Sequence, residues 1–444
     1  MADKKPNIRF KGFEEEWENK PFSDTYKSAA EGGTPSTSVK DYYVDGSIPF
    51  VKIEDTEQKY IHDTTSHITE KGMNNSSAWL IPRDSIIFTN GATIGNVAIN
   101  KVPVTTKQGI LGIIQDATKF DLEYLYYALL TDKFQAEVEK RQSKGTFATI
   151  ILRNLDKIDV PHTSLTEQQK IGEFFKQLDE LIEAKEQELE KLRQIKLALL
   201  DKMFPSDNQD NTDGWGLVGN SLIYNMLQYN SQLVVTSPAP NTPTIRFRSF
   251  TEPWEKKRIE EIIRCPLDYG LNAASTKYDG KRKYLRITDI DDSLRVFNYN
   301  DLTSPNLSYI SENYRLQSGD IVFARTGASV GKTYLYNKRD EEVYFAGFLI
   351  RARIKDTYSP YFVFTSTLTD NYSKFIKITS QRTGQPEVNA QEYESYSLFI
   401  PKSYDEQCKI GNFFRSQDEA IANSQLQINK LKTIKQACLS QMFA

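Results

Sequence analysis

Leu165-Thr166-Glu167-Gln168-Gln169-Lys170-Ile171-Gly172-Glu173-Phe174-Phe175 returns later in the chain as Tyr404-Asp405-Glu406-Gln407-Cys408-Lys409-Ile410-Gly411-Asn412-Phe413-Phe414. The offset is constant at 239 residues, from Glu167 to Glu406 and from Met203 to Met442. Each copy continues without proline to a Met-Phe end, Lys202-Met203-Phe204 and Gln441-Met442-Phe443. Both are rich in Leu, Lys, Gln and Glu, which predicts two long helices. Thr166 and Asp405 read as their N-caps. Leu178, Ile182, Leu189, Leu192, Leu199 and Met203 step by threes and fours, with Lys185 and Lys196 filling the seam. Ile421, Ile428, Leu431, Cys438 and Met442 repeat that register, with Gln417, Ser424 and Lys435 as polar members. This is a heptad seam. Each helix would span about 55–60 Å at 1.5 Å per residue, too long for one small domain to cover. The natural partner of each copy is the other, and the alternative is two amphipathic helices docked on local cores.

The repeat extends beyond the helices. Pro6-Asn7-Ile8-Arg9-Phe10, with Phe13 and Trp17, is answered by Pro243-Thr244-Ile245-Arg246-Phe247, with Phe250 and Trp254. Asp84 to Gly95, ending Gly91-Ala92-Thr93-Ile94-Gly95, is answered by Asp320 to Gly331, ending Gly327-Ala328-Ser329-Val330-Gly331. A strand candidate at Gly109 to Ile114 matches Gly347 to Ile350, and a helix from Leu122 to about Arg141 matches one from Tyr361 to about Ile378. Val160-Pro161 and Ile400-Pro401 precede the two long helices. Short β-branched and aromatic runs (Ile48 to Ile53, Ser85 to Thr89, Asn96 to Ile99, Lys283 to Ile287, Val343 to Arg353) alternate with turn residues. The expected fold class is therefore mixed α/β (α+β): two similar domains, residues 1–162 and 243–402, and two long helices, 163–204 and 403–444. These helices are expected to pair with each other as a coiled coil within the internal repeat. Residues 205–242, without Lys or Arg, form a linker.

The 444 residues carry a net charge of −3 and no apolar run approaching the roughly 18–20 needed to span a membrane. Met1-Ala2-Asp3-Lys4-Lys5 leads into no apolar signal core, so a cytoplasmic protein is expected. Cys265, Cys408 and Cys438 form no CxxC pair, and His62 and His67 lack a third ligand, so no metal site is expected. Residues 1–160 carry 20 basic and 23 acidic groups and residues 244–402 carry 24 and 20. Only local patches would supply phosphate contacts.

Nucleotide motifs fail on context. Gly214-Trp215-Gly216-Leu217-Val218-Gly219 is a literal GxGxxG, but a polar, turn-prone run precedes it and no acidic residue follows until Glu252. Gly327 to Thr333 is one residue short of a P-loop, and its counterpart Gly95-Asn96-Val97 lacks the Lys and Thr. Read as a repeat, the two glycine loops are candidate anion cradles, with Thr93 and Ser329 adding hydroxyls. The alternative is a tight turn that requires glycine. No (Asn/Asp)-Pro-Pro-(Tyr/Phe) methyltransferase motif occurs, and three scattered histidines form no triad.

The duplicated Pro-x-Ile-Arg-Phe-x-x-Phe-x-x-x-Trp opening, the divergent domains and the Glu-Gln-x-Lys-Ile-Gly-x-Phe-Phe helices ending in Met-Phe resemble the specificity subunit of type I restriction–modification systems. The resemblance covers nearly the whole chain and departs from it in the long linker. It implies a non-catalytic subunit whose two target recognition domains each read half of a split, asymmetric DNA sequence. The resemblance makes the coiled coil antiparallel, in a pseudo-two-fold repeat; it would set the half-site separation and dock two modification subunits, and restriction subunits would join the full complex. No cofactor is expected in this chain: S-adenosylmethionine, ATP and magnesium would sit on the partners. The alternatives are a coiled-coil scaffold without DNA function and a self-contained methyltransferase or nuclease. Candidate DNA contacts are Thr89, Asn90, Thr93, Lys107, Lys144 and Thr146 in the first domain. In the second they are Arg282, Arg286, Arg325, Ser329, Lys332, Gln381 and Arg382. They come from the glycine loops, from Lys144-Gly145-Thr146 and Arg382-Thr383-Gly384, and from basic runs.

Overall fold

The computed structural model describes residues 5–143, 148–206, 232–236, 239–382 and 384–443. The chain divides into two compact units, Met1–Lys185 with Gln427–Ala444, and Glu186–Leu426. Each unit therefore holds one globular domain together with a piece of both long helices, Leu165–Lys202 and Tyr404–Met442.

The two domains are one topology. In unit one the central sheet runs Tyr26–Glu31, Ile110–Gln115, Ile86–Thr89, Val97–Asn100, all antiparallel, and Tyr60–Ile61 adds a parallel edge strand. In unit two the order Asp268–Tyr269, Leu349–Arg353, Asp320–Ala324, Thr333–Leu335 repeats it. A small parallel pair recurs as Ile48–Val51 with Thr105–Thr106 and as Lys283–Leu285 with Val343–Phe345. Ile86, Ile87 and Phe88 are fully buried, as are Ile321 and Val322. Such apolar runs, without alternation, belong to strands covered on both faces. Each domain is closed by an antiparallel pair that hands the chain to a long helix, Glu18–Pro21 with Asp159–His162 and Glu255–Arg258 with Ser397–Ile400.

Several local expectations are corrected. The helix expected from Leu122 to Arg141 is two helices, Leu122–Leu129 and Asp132–Arg141. Thr131 breaks it, because its hydroxyl donates to the Ala128 carbonyl at 2.8 Å and accepts from the Phe134 amide, capping the second segment. The counterpart breaks likewise into Pro360–Ser366 and Asp370–Thr379. The Val343 to Arg353 run is two strands, Val343–Phe345 and Leu349–Arg353. The long helices begin earlier than Thr166 and Asp405. Ser164 and Ser403 accept from the amides of Glu167 and Glu406 at 3.4 and 3.3 Å and act as the caps. Within the expected linker, Leu233–Val235 is a strand paired with Ile245–Phe247. Gly214 to Gly219 lies outside the described residues.

The helices run antiparallel within each unit. In unit one Asp179 meets Lys435 at 2.5 Å. In unit two Lys196 meets Asp418 at 2.5 Å and Arg193 donates to Gln425 at 3.1 Å. The 239-residue offset converts the first ion pair into the second, so one pairing is made twice with the roles of the helices exchanged. Ile182, Leu189, Leu199, Met203, Ile421, Ile428 and Met442 are buried. Leu178, Leu192, Leu431 and Cys438 are half-buried.

The Glu-Gln motif joins each domain to its helix. Arg9 donates to both Glu167 carboxylate oxygens at 2.7 and 2.8 Å, and Trp17 Nε1 donates to Oε2 at 3.2 Å. Arg246 donates to Glu406 at 2.6 and 2.8 Å, and Trp254 Nε1 donates at 3.3 Å. Gln168 Oε1 accepts from the Asp121 amide, as Gln407 Oε1 does from the Ser359 amide, both at 2.9 Å. Those amides belong to the residues that cap Leu122–Leu129 and Pro360–Ser366. Gly172 is required by the close approach, since a Cβ there would lie 2.8 Å from the Tyr124 backbone nitrogen. The Met-Phe ends cross over. Phe443, from the second long helix, packs on Trp17, Tyr124 and Phe175 in unit one. Phe204, from the first, packs on Trp254, Phe362 and Phe414 in unit two.

Candidate nucleic-acid interface

Hydrogen bonding fixes the true register between the two glycine loops. Asn90 N donates to Gly109 O and Arg325 N to Phe348 O, while Ile150 N and Val388 N donate back to Asn90 O and Arg325 O. Arg325 thus stands where Asn90 stands, not opposite Thr89 as the sequence repeat has it. Gly95 N and Gly331 N close the loops on Thr89 O and Ala324 O. The second loop holds one residue more, which is why the repeat slips. All four loop glycines donate their amides to carbonyls of their own domain: Gly91 to Gly109, Gly95 to Thr89, Gly327 to Pro386 and Gly331 to Ala324. Their role is conformational. Gly95, Gly327 and Gly331 have φ of +98°, +71° and +82°, and the anion-cradle reading finds no donor in the glycine amides.

The other candidate side chains occupy distinct places. Thr89 is fully buried; its hydroxyl donates to Thr93 O at 2.5 Å and accepts from Asn96 N at 2.9 Å, which pins the loop. Asn90 is buried and donates to Ile150 O at 3.2 Å. Thr93 is exposed at the loop tip, and Lys107 is exposed just after Thr105–Thr106. Lys144 and Thr146 lie outside the described residues. In the second domain Ser329 is buried and Gln381 is exposed.

Every candidate cation of the second domain has an acidic partner. Arg282 donates to Asp279 at 2.6 Å and Lys332 lies 2.5 Å from Asp292. Arg325 pairs with Glu387, and Arg382 with Glu392 at 2.5 Å. Arg286 is held by Asp289 and Asp301, at 2.7 and 3.0 Å. The Lys332 hydrogen bond holds the Asp292 carboxyl below the usual carboxylate range. Burial works against the Asp279 anion, but hydrogen bonds from Arg282 and the Lys281 amide outweigh it and keep that carboxyl low too. Asp292 and Asp301 are well exposed and Asp279, Glu387 and Glu392 partly so, and ion pairs at such exposure are worth about 0–1 kcal/mol, whereas Asp289 is buried.

Aromatic side chains that the sequence did not single out flank these cations. Arg325 lies over the Tyr269 ring at 5.0 Å, and Phe348, whose carbonyl holds the Arg325 amide, is 59 % exposed. Single exposed aromatics leave no periodic mark in a sequence, and only the fold brings Tyr269, Arg325 and Phe348 together.

Two copies of one mixed α/β domain, each locked to paired long helices, make up a duplicated architecture, and the second copy carries ion-paired cations on its loops. The family model described as the type I restriction modification DNA specificity domain matches the chain twice, over residues 14–194 and 251–433. The chain belongs to that family. The MjaIX type I restriction enzyme specificity subunit of Methanocaldococcus jannaschii is 31% identical over 265 residues, 58% of this chain and 54% of that protein. The EcoR124I/EcoR124II specificity subunit of Escherichia coli is 28% identical over 154 residues, 34% of this chain and 38% of that protein. The chain thus spans about half or less of the length of these curated relatives. The S subunit of a type I restriction-modification system from M. genitalium shares the fold, with a TM-score of 0.60, 15% identity and 99% of both chains covered. So does a chain from a study of complex assembly and conformational transition of the type I R-M system, with a TM-score of 0.54, 13% identity and 96% and 97% covered. Among the described residues no helix is long and apolar enough to cross a membrane.

Proposed function

We propose that this chain is a non-catalytic reader of a bipartite, asymmetric DNA target. Residues 1–162 and 243–402 each read one half-site. Residues 163–204 and 403–444 set the half-site separation and dock two modification subunits, which carry S-adenosylmethionine. Residues 205–242 connect the halves, and restriction subunits with their ATP and magnesium join the larger complex. The observation that carries this reading is the double match to a DNA specificity domain within one chain. The candidate side chains act by exchange: Arg282, Arg286, Arg325, Lys332 and Arg382 trade an internal carboxylate for a phosphate, while Gln381, Thr93 and Lys107 are exposed from the outset. Asn90, buried at the place that Arg325 takes in the other domain, positions its loop.

The test is domain exchange. Residues 20–160 are replaced by the matching domain of a relative, and the methylated positions in host DNA are read in the presence of the modification subunit. One half of the target should change and the other remain. A change in both halves, or in neither, would remove the two-reader model. The internal pairing of the second domain's cations favours one rival, a coiled-coil scaffold without DNA function. That rival predicts no salt-dependent duplex binding by the chain with its modification partner, whereas a reader loses affinity steeply as salt rises.

A further inference from the structure

Unit two contains a cleft of 590 Å³ between the first long helix, the Ile290–Phe297 hairpin and the helix Asp370–Thr379. Its walls are largely apolar, with Leu197, Leu200, Leu294, Val330, Leu368 and Ile376 among them. Two polar atoms from two separate elements lining it, Arg193 Nε and Arg295 Nη1, are buried without a hydrogen-bond partner among the described residues, and the nearby Tyr372 hydroxyl is held by Tyr393. Buried polar groups are normally satisfied, so two guanidinium donors at one cleft point to a missing acceptor. Arg295 is the sharpest case. It sits at the end of the hairpin turn with φ +56°, a conformation that favours glycine. Nothing in the turn itself needs an arginine, since Asp291 accepts the Ser293 and Leu294 amides that shape it. Burial outweighs the nearby Asp291 and Asp292 and lowers the guanidinium's pKa, as expected of a cation short of counter-charge. Asp292 is already paired with Lys332, and Lys196 with Asp418, so Arg193, Arg295 and the exposed rim residue Lys377 are the cleft's cations without a carboxylate partner among the described residues.

The first domain supplies a control. Its matching cleft, of 450 Å³, is lined by Ile94, Asp132, Gln135, Val138 and Glu139. Ile94 stands for Val330, Val138 for Ile376 and Glu139 for Lys377. The fold therefore makes the hollow in both domains without asking for cations. Only the second domain adds the hairpin with Arg295, and only there is the rim residue basic.

We propose that this cleft binds a small amphipathic anion, an acidic phosphate, sulfonate or carboxylate group on an apolar or aromatic body. The anion accepts from Arg193 and Arg295, and the body lies against the leucines of the first long helix. Apolar walls of this kind suit a small molecule better than a duplex backbone. The probe is 8-anilinonaphthalene-1-sulfonate, followed by fluorescence on the full chain with its modification partner, with adenosine monophosphate as competitor. The expected result is one saturable site per chain, weakened at least tenfold by Arg295→Gly and unchanged by Glu139→Gln. Because glycine suits φ +56°, Arg295→Gly should melt no lower than the parent. Binding retained in Arg295→Gly overturns the proposal. So does a fall in that variant's melting temperature, which would make the arginine structural. Stoichiometric displacement of the probe by duplex DNA overturns it as well, by assigning the cleft to the DNA surface.

Discussion

Arg246 and Glu406 are an ion pair with side chains 1 % and 2 % exposed. Water cannot compensate either charge, so Glu406→Gln should destabilise the chain by about 3–5 kcal/mol, the usual result of stranding a buried charge. Calorimetric or denaturant unfolding would measure it. Glu167→Gln should cost less, because Arg9 is 12 % exposed. The Glu167 pair also predicts a pH dependence. Burial alone would raise its pKa, but hydrogen bonds from Arg9, Thr163 and Trp17, with the Arg9 charge, lower it overall. The folded carboxyl is then the stronger acid, and the unfolded chain takes up the proton first. The stabilisation is present above the ordinary glutamate pKa of about 4.3. It is lost as pH falls through the lower folded value. Melting temperature should therefore fall on the acid side of pH 4.3 (roughly), and Glu167→Gln should flatten that limb. An unchanged acid limb would contradict the assignment. On the surface, alanine at both Arg325 and Lys332 should weaken all sequences alike and flatten the salt slope by roughly one unit for each phosphate no longer neutralised. Glu387→Gln with Asp292→Asn, which frees the same cations, should do the reverse. If neither pair of substitutions moves the slope, the loop is not on the DNA surface.

At the scale of elements, the close approach of each long helix to its domain decides the effect of the motif glycine. A Cβ at Gly172 would lie 2.8 Å from the Tyr124 nitrogen, but one at Gly411 would lie 3.1 Å from the Phe362 nitrogen. Alanine gains about 1 kcal/mol of helix propensity over glycine, against roughly 1–3 kcal/mol for overpacking. Gly411→Ala should thus be near neutral, and Gly172→Ala a net loss of about 1–2 kcal/mol on the same scale. Equal melting temperatures for the two variants would contradict this. Much at this scale was legible in the sequence. Repeated spacing marked the helices and seam, and a constant offset marked the Arg-Phe, Trp and Glu-Gln residues as a set. Their purpose was not legible, because Arg9 and Glu167 meet only in three dimensions, 158 residues apart. The break at Thr131 was hidden, since a threonine hydroxyl turning back on the helix leaves no trace in apolar periodicity. The loop register slipped because Gly-Ala-Thr-Ile-Gly and Gly-Ala-Ser-Val-Gly align better as letters than as hydrogen bonds. The ion pairs that occupy the second domain's cations depend on carboxylates as far away as Glu387, 62 residues from Arg325.

At the scale of the whole molecule, the proposed function makes helix length the determinant of half-site spacing. The reciprocal pairs Asp179–Lys435 and Lys196–Asp418 mean that a heptad added to one helix alone breaks the register. A heptad added to both, after Leu189 and after Ile428, preserves it. The measurement that bears most directly on the account is the spacer length preferred by that double insertion. The rod lengthens by about 10 Å at 1.5 Å per residue. That is comparable to roughly three base pairs at 3.4 Å each, with a rotation of roughly 100° about the duplex. The account predicts that the variant, bound to its modification partner, either prefers a longer non-specific spacer or loses tight binding to the original site. A seven-residue insertion in the 205–242 linker should leave the spacer unchanged. A linker insertion that moves the spacer, while the helix insertion does not, would contradict it.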